Sequence, residues 1–217
     1  MSQKRIFAIA LTLIVLGLGL ALWWGQPAGK SPGDPQAVQS AATLVRPHSP
    51  VVGPSQAPVT VVEFFDPSCE ACRAFHPFVK QLLADFPGQV RIVLRYAPFH
   101  QGSDEAVAIL EAAREQQRFE PVLEALLQHQ PAWAVHGAPN LALAWKVAAD
   151  AGLDVSPARR QSGIDRARQV LAQDMKDVDT VGVEKTPTFY VNGKPLQRFH
   201  PDELRSMVQQ ELRKGTP

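Results

Sequence analysis

Only two cysteines occur in the 217-residue chain, and they stand three positions apart in Cys69-Glu70-Ala71-Cys72. A disulfide across four residues restricts the unfolded chain very little, so stability is a poor reason for the pair. Two thiols at this spacing can instead cycle between dithiol and disulfide. Cys69 falls where a helix should begin, and there free N–H groups and the positive end of the helix dipole stabilise a thiolate, the attacking species. Cys72 follows one turn later, close enough to close the ring and resolve a mixed disulfide. The alternative is half of a zinc site. Closed zinc sites want four ligands, and His76, His100, His129 and His136 match no familiar zinc spacing. No metal and no organic cofactor is implied.

Glu63 stands six residues before Cys69, inside an otherwise apolar run. A buried carboxylate is costly unless protonated or partnered, so its pKa should rise, which suits it to carry protons to and from Cys72. Alternatively it reaches the sheet edge or meets a cation such as Lys185. Glu70, between the cysteines with Ala71, either makes the pair less oxidising through its charge or is exposed with little influence. His76 and His100 are expected to be structural, and Trp133 and Trp145 to be core.

These residues need elements that hold them. Val59–Phe65 (VTVVEFF) is a nearly continuous β-branched and aromatic run, as in a strand buried on both faces. After Pro67-Ser68, the apolar residues Phe75, Phe78, Val79, Leu82, Leu83 and Phe86 recur at helical spacing. Pro77 lies inside that helix and should kink it. Val90–Tyr96 (VRIVLRY) is a second strong strand, and strand–helix–strand makes a right-handed parallel unit. About eighty residues without a strand signal follow, with helix starts at Ser103-Asp104-Glu105, Glu120-Pro121, Asn140 and Ser156-Pro157. Thr188–Val191 and Pro195–Phe199 then flank Asn192-Gly193, a strong hairpin signal, and a last helix runs from Pro201 to about Arg213.

The ends and the charge set the compartment. Lys4 and Arg5 precede an apolar run from Ile6 to Trp24, which as a helix would span roughly 28 Å, close to a bilayer core. The expected organisation is a signal anchor or signal peptide over 1–25, a Pro/Gly/Ser-rich linker over 26–50, and a domain over 51–215 with a helical insertion at about 102–180. The length of residues 6–24 favours an anchor that stays, with a cytoplasmic N-terminus; a cleaved export signal is the alternative. A short strand at Thr43–Arg46 is a further candidate for the sheet. With 22 Lys+Arg against 21 Asp+Glu, no basic block suggests nucleic acid.

Gly53–Cys72 (GPSQAPVTVVEFFDPSCEAC), the helix after it, and Thr186–Gly193 (TPTFYVNG) together resemble the DsbA-like branch of the thioredoxin superfamily, over about Val51–Arg213. The resemblance implies an α/β thioredoxin-like fold, a βαβ–ββα sheet with an inserted all-helical subdomain, preceded here by the N-terminal membrane segment. It implies a nucleophilic Cys69, a resolving Cys72, a buried acid at Glu63 and a cis-proline at Pro187, where Thr186 would pair with substrate backbone. An ordinary trans Pro187 is the alternative. Family members take electrons from exported proteins with free thiols and pass them to a membrane quinone reductase of the DsbB or VKOR type. Strong oxidases of the family often carry Pro-His between the cysteines, whereas this chain has Glu-Ala, and Thr186 rather than Val is seen more in isomerase- or reductase-like relatives. The expectation is a disulfide-forming oxidase on the periplasmic side of a bacterial inner membrane. Reductase or isomerase activity is the first alternative and a non-catalytic peptide-binding holdase the second.

Overall fold

The computed structural model describes residues 43–215. The membrane segment expected over 1–25, and the linker as far as residue 42, lie outside the described residues. Among those described, no helix is long and apolar enough to cross a membrane.

Five strands, β1 (Val51–Val52), β2 (Val59–Phe65), β3 (Val90–Tyr96), β4 (Thr188–Val191) and β5 (Lys194–Pro195), form one sheet in the order β1-β3-β2-β4-β5. β2 and β3 are parallel, joined by α1 (Glu70–Asp85), and the other pairings are antiparallel. β2 is thus the central strand, which explains its continuous apolar run: both its faces are covered. Val59, Val61 and Phe65 pack with α1 and the helices beyond, while Val62 and Phe64 pack on the opposite face with Leu44, Val93 and Val178. Glu63 has the parity of Val61 and Phe65 and therefore faces α1, paired across the sheet with Leu94 and Phe189.

The insertion comprises α2 (Ser103–Glu115), α3 (Phe119–Gln128), α4 (Gln130–Trp133), α5 (Leu141–Asp150) and α6 (Pro157–Val181). Of its start signals, Asn140 caps α5 by accepting a hydrogen bond from Leu143 N, and Ser156-Pro157 opens α6 without a side-chain cap bond. The N-cap of α2 is Gly102 rather than Ser103. Trp133 and Trp145 are buried, each indole N–H satisfied, by Leu126 O and Glu105 Oε1. The chain closes with β4, β5 and α7 (Pro201–Gly215).

Two further expectations differ. No strand forms at Thr43–Arg46; the sheet edge is β1 instead, and this segment is held by side chains, with Leu44 1% exposed and Arg46 paired to Asp177. The last hairpin strand is only Lys194–Pro195 rather than Pro195–Phe199, because Phe199 leaves the sheet to stack on Phe75 of α1.

Candidate active site

The loop between β2 and α1 is built on Asp66, whose side chain is fully buried. Its carboxylate accepts from Ser68 N, Phe99 N, His100 N and Ser103 Oγ at 2.6–3.0 Å, and His100 Nδ1 stands 2.6 Å from it. Gln130 of α4 donates its amide to Pro67 O and Cys69 O, while Arg73 donates to Gln130 Oε1. Two connections from distant sequence thus fix the backbone that carries the first cysteine.

Cys69 is the N-cap of α1. Its Sγ lies 3.3 Å from Thr186 O, and the Thr186–Pro187 bond is cis. Both cysteines are free thiols, Cys69 at the surface side with 5% exposure and Cys72 fully buried beneath it. The hydrogen bond from Cys72 lowers the Cys69 pKa; with Thr186 and the Ala71 and Cys72 N–H groups it outweighs desolvation and brings the thiol to about 5. Burial, reinforced by the hydrogen bond to Cys69 and the charge of Glu63, pushes Cys72 far above the thiol range. Glu63, 2% exposed, is raised to about 8 by burial and then by the Cys69 charge. The arrangement offers one thiolate near neutrality, one thiol that ionises only while giving up its proton, and an acid close to both.

The structure therefore brings Cys69, Cys72, Glu63, Thr186 and Pro187 together. Lys185 is not the partner of Glu63; the charged groups on the same cavity as Glu63 are His76, Lys80, Glu120 and Glu124. Glu70 is largely exposed, with His136 Nε2 3.6 Å away. Ala71 lines an open groove with Ala74, Phe75, Phe78, Phe199 and Pro201. Phe78 belongs by spacing to the apolar face of α1, yet it is 50% exposed, and Phe199 is 51% exposed.

Sequence reasoning read His100 as structural and His136 only as a zinc candidate, and placed neither beside the cysteine loop. His100 follows β3, and its ring lies 5.7 Å from that of His136. Burial opposes the charged imidazole of His100, but the Asp66 hydrogen bond and the charges of Asp66, Cys69 and Glu70 outweigh it and raise its pKa. Its position after a strand end parallel to the Cys69 loop was the available signal, since adjacent parallel strands deliver their following loops to the same edge.

A fold of this kind, with a dithiol at the first helix N-terminus and a cis-proline opposite, defines a thiol–disulfide exchange protein. Residues 46–210 match the family model described as thioredoxin, and the chain belongs to that family as a DsbA-like thioredoxin-fold thiol–disulfide oxidoreductase. It is similar to the crystal structure of a thioredoxin-like oxidoreductase from Silicibacter pomeroyi DSS-3, with 31% identity, a TM-score of 0.67, and coverage of 79% of this chain and 95% of that one. It is 29% identical over 178 residues to disulfide bond formation protein D of Bacillus subtilis, covering 76% of this chain and 77% of that protein. A further relative is Na(+)/H(+) antiporter NhaA 3 of Salinispora tropica, 37% identical over 151 residues, which are 66% of this chain but only 22% of the antiporter. The chain thus spans between 22% and 31% of the length of the antiporter relatives it matches.

Proposed function

We propose that the chain forms disulfides in exported proteins, working in the oxidase direction. The observation that carries this reading is the Cys69 thiol brought to about 5 at the N-cap of α1. A thiolate stabilised below neutral pH stabilises the reduced pair, and a pair stable when reduced is a good oxidant. The name of the Bacillus subtilis relative, disulfide bond formation protein D, supports the same direction.

In this reading a substrate thiolate attacks Cys69 of the oxidised pair. The Cys69–Cys72 bond breaks, a mixed disulfide forms, and Cys72 leaves with the electron pair and takes a proton from Glu63. A second substrate thiolate then attacks the substrate sulfur of the mixed disulfide and releases the reduced pair. Substrate backbone pairs beside Thr186 and Pro187, Glu70 and Ala71 tune the pair, and residues 6–24 tether the domain on the periplasmic side of the inner membrane. A DsbB- or VKOR-type quinone reductase reoxidises it. Transport is not carried over from the antiporter relatives, because the match covers 22% of the first of them.

Glu70 beside the sulfurs favours the reductase or isomerase alternative, and the aromatic groove favours the holdase. Incubating the oxidised chain with a reduced, unfolded substrate protein tests the proposal. Disulfides should appear in the substrate in step with thiols in the chain, and Cys69→Ser should abolish this. Suppression of aggregation by Cys69→Ser without any thiol transfer in the wild type would make the chain a holdase.

A further inference from the structure

The Cys72 thiol is fully buried, so a proton that it gains or loses must be passed through the protein. Glu63 is beside it, but Glu63 is itself 2% exposed, and no protein donor or acceptor holds its carboxyl among the described residues. What Glu63 faces instead is a cavity of about 240 Å³ between α1, the sheet and α3. Its inner wall is Phe65, Val79, Ile92, Leu94 and Leu123, all buried. Its outer lining is partly exposed and charged: His76 and Lys80 from α1, Glu120 and Glu124 from α3. A space of that size admits several waters, and a carboxyl at one end with charged groups at the other gives them partners.

His76 is the group at that mouth whose chemistry fits a relay. Four residues after Cys72, it lies on the same face of α1, about 6 Å further along the axis. Its Nε2 stands 2.7 Å from Glu124 Oε1, and Lys80 Nζ lies 3.0 Å from the same oxygen. Burial pulls Glu124 upward, but the hydrogen bonds from His76 and Lys80 outweigh it and hold the group below its ordinary range, so it is a fixed anion orienting the ring. Of the groups at the mouth, only the imidazole has two ring nitrogens, so it can accept a proton on one side and pass one on from the other.

We propose that this cavity is the proton inlet of the redox centre, and that His76, oriented by Glu124, relays protons between solvent and Glu63. The inference rests on the exchange reading above and adds the route. When the Cys69–Cys72 bond is broken by an attacking thiolate, Cys72 leaves with the electron pair and takes the proton of Glu63. The carboxylate left behind recovers a proton through cavity water from His76, and His76 is recharged from solvent. Running backwards, the Cys72 proton leaves by the same path before its thiolate attacks. His76 is thus a positioning residue: it never touches the sulfurs and acts through Glu63.

The test is the single-turnover reduction of the oxidised full-length chain by dithiothreitol, followed from pH 5 to 9, for wild type, His76→Ala, Glu124→Gln and Glu63→Gln. His76→Ala should slow reduction about tenfold near and above neutral pH, and added imidazole should restore most of that loss, as a freely diffusing relay would. Glu124→Gln, which keeps volume and hydrogen-bonding capacity, should show a smaller loss with a displaced pH profile. In a Glu63→Gln background His76→Ala should cost nothing further, since a relay without its acceptor is idle. A His76→Ala chain with wild-type rates across the range overturns the proposal. So does a slowed chain that imidazole leaves slow, or a loss that adds in full to that of Glu63→Gln. Should His76→Ala fail to fold, an unchanged pH profile in Glu124→Gln overturns it alone. Wild-type protein that dithiothreitol does not reduce removes the exchange reading and the inlet together, whereas the other negative results remove only the inlet.

Discussion

At the scale of single residues the site works by separating three protonation equilibria within one buried cluster. Cys69 is lowered to about 5 and Glu63 raised to about 8. Alkylation of the reduced chain by iodoacetamide should accordingly rise with a midpoint near pH 5 for Cys69, while Cys72 stays unreactive in the folded protein. The Cys69 shift is a depression, so its stabilisation of the dithiol is fully present above the unfolded thiol pKa and is lost as pH falls through about 5. The Glu63 shift is an elevation with the opposite sign. Its contribution is full below the ordinary carboxylate pKa and is lost as pH rises through about 8. Stability of the oxidised chain, where no thiol titrates and burial alone raises Glu63, should therefore fall as pH rises from 5 to 8 in denaturant titrations. Glu63→Gln should flatten that slope and slow exchange about 100-fold at pH 7; an unchanged slope would mean that Glu63 is not the buried acid. Cys69, Cys72 and Glu63 were legible in the sequence because each is a residue type that its neighbours cannot explain: two thiols too close to serve stability, one carboxylate in a strand. Asp66, His100 and Gln130 were not. Their role is hydrogen bonding across 34–63 positions of sequence, which leaves no local pattern.

At the scale of elements, periodicity located β2, β3, β4, α1 and the helical insertion, because each hides an apolar stripe. It failed where packing rather than pattern sets the ends. β5 is cut short as Phe199 turns to stack on Phe75 with ring centroids 4.7 Å apart, and Phe78 follows the helical period yet lies in an open groove. The seam between α2 and α6 was equally invisible, since it is made of small residues. A Cβ added at Gly163 would lie 2.5 Å from Ala108 O and 2.7 Å from Ala112 Cβ. The two helices pack backbone to backbone there, and Gly163→Val should force them apart at a cost of about 1–3 kcal/mol. A lower denaturation midpoint with unchanged m-value would show this, and a midpoint equal to wild type would place the seam elsewhere.

At the scale of the whole domain, one ionic cluster joins the first described segment, the sheet and the insertion. Arg95 of β3, with no side-chain exposure, pairs with Asp174 and Asp177 of α6 at 2.8 and 2.6 Å and also donates to Thr43 O. Arg46 pairs with Asp177 at 2.7 Å, His48 stands 2.7 Å from Asp174, and Tyr96 N donates to Asp174 Oδ2. Asp174→Ala leaves Arg95 with Asp177 as its remaining carboxylate and Tyr96 N without its acceptor, which costs about 1–3 kcal/mol. Thermal melting should fall by several degrees, and segment 43–50 should become open to proteolysis while the redox centre, on the other side of the sheet, keeps its reactivity. Sequence periodicity gives no access to such a cluster, because its charges are set among residues that are otherwise ordinary surface types. The lowered Cys69 pKa, which favours the reduced pair, is what supports the proposed oxidase direction of exchange.

The reduction potential of the Cys69–Cys72 pair, measured by equilibrating the full-length chain with glutathione buffers at pH 7, tests that direction most directly. A value less negative than about −180 mV is expected, on the side of strong periplasmic oxidants near about −120 mV. A value at or below about −270 mV, that of thioredoxin-like reductants, would contradict the oxidase account and make the chain a reductase with the same residues.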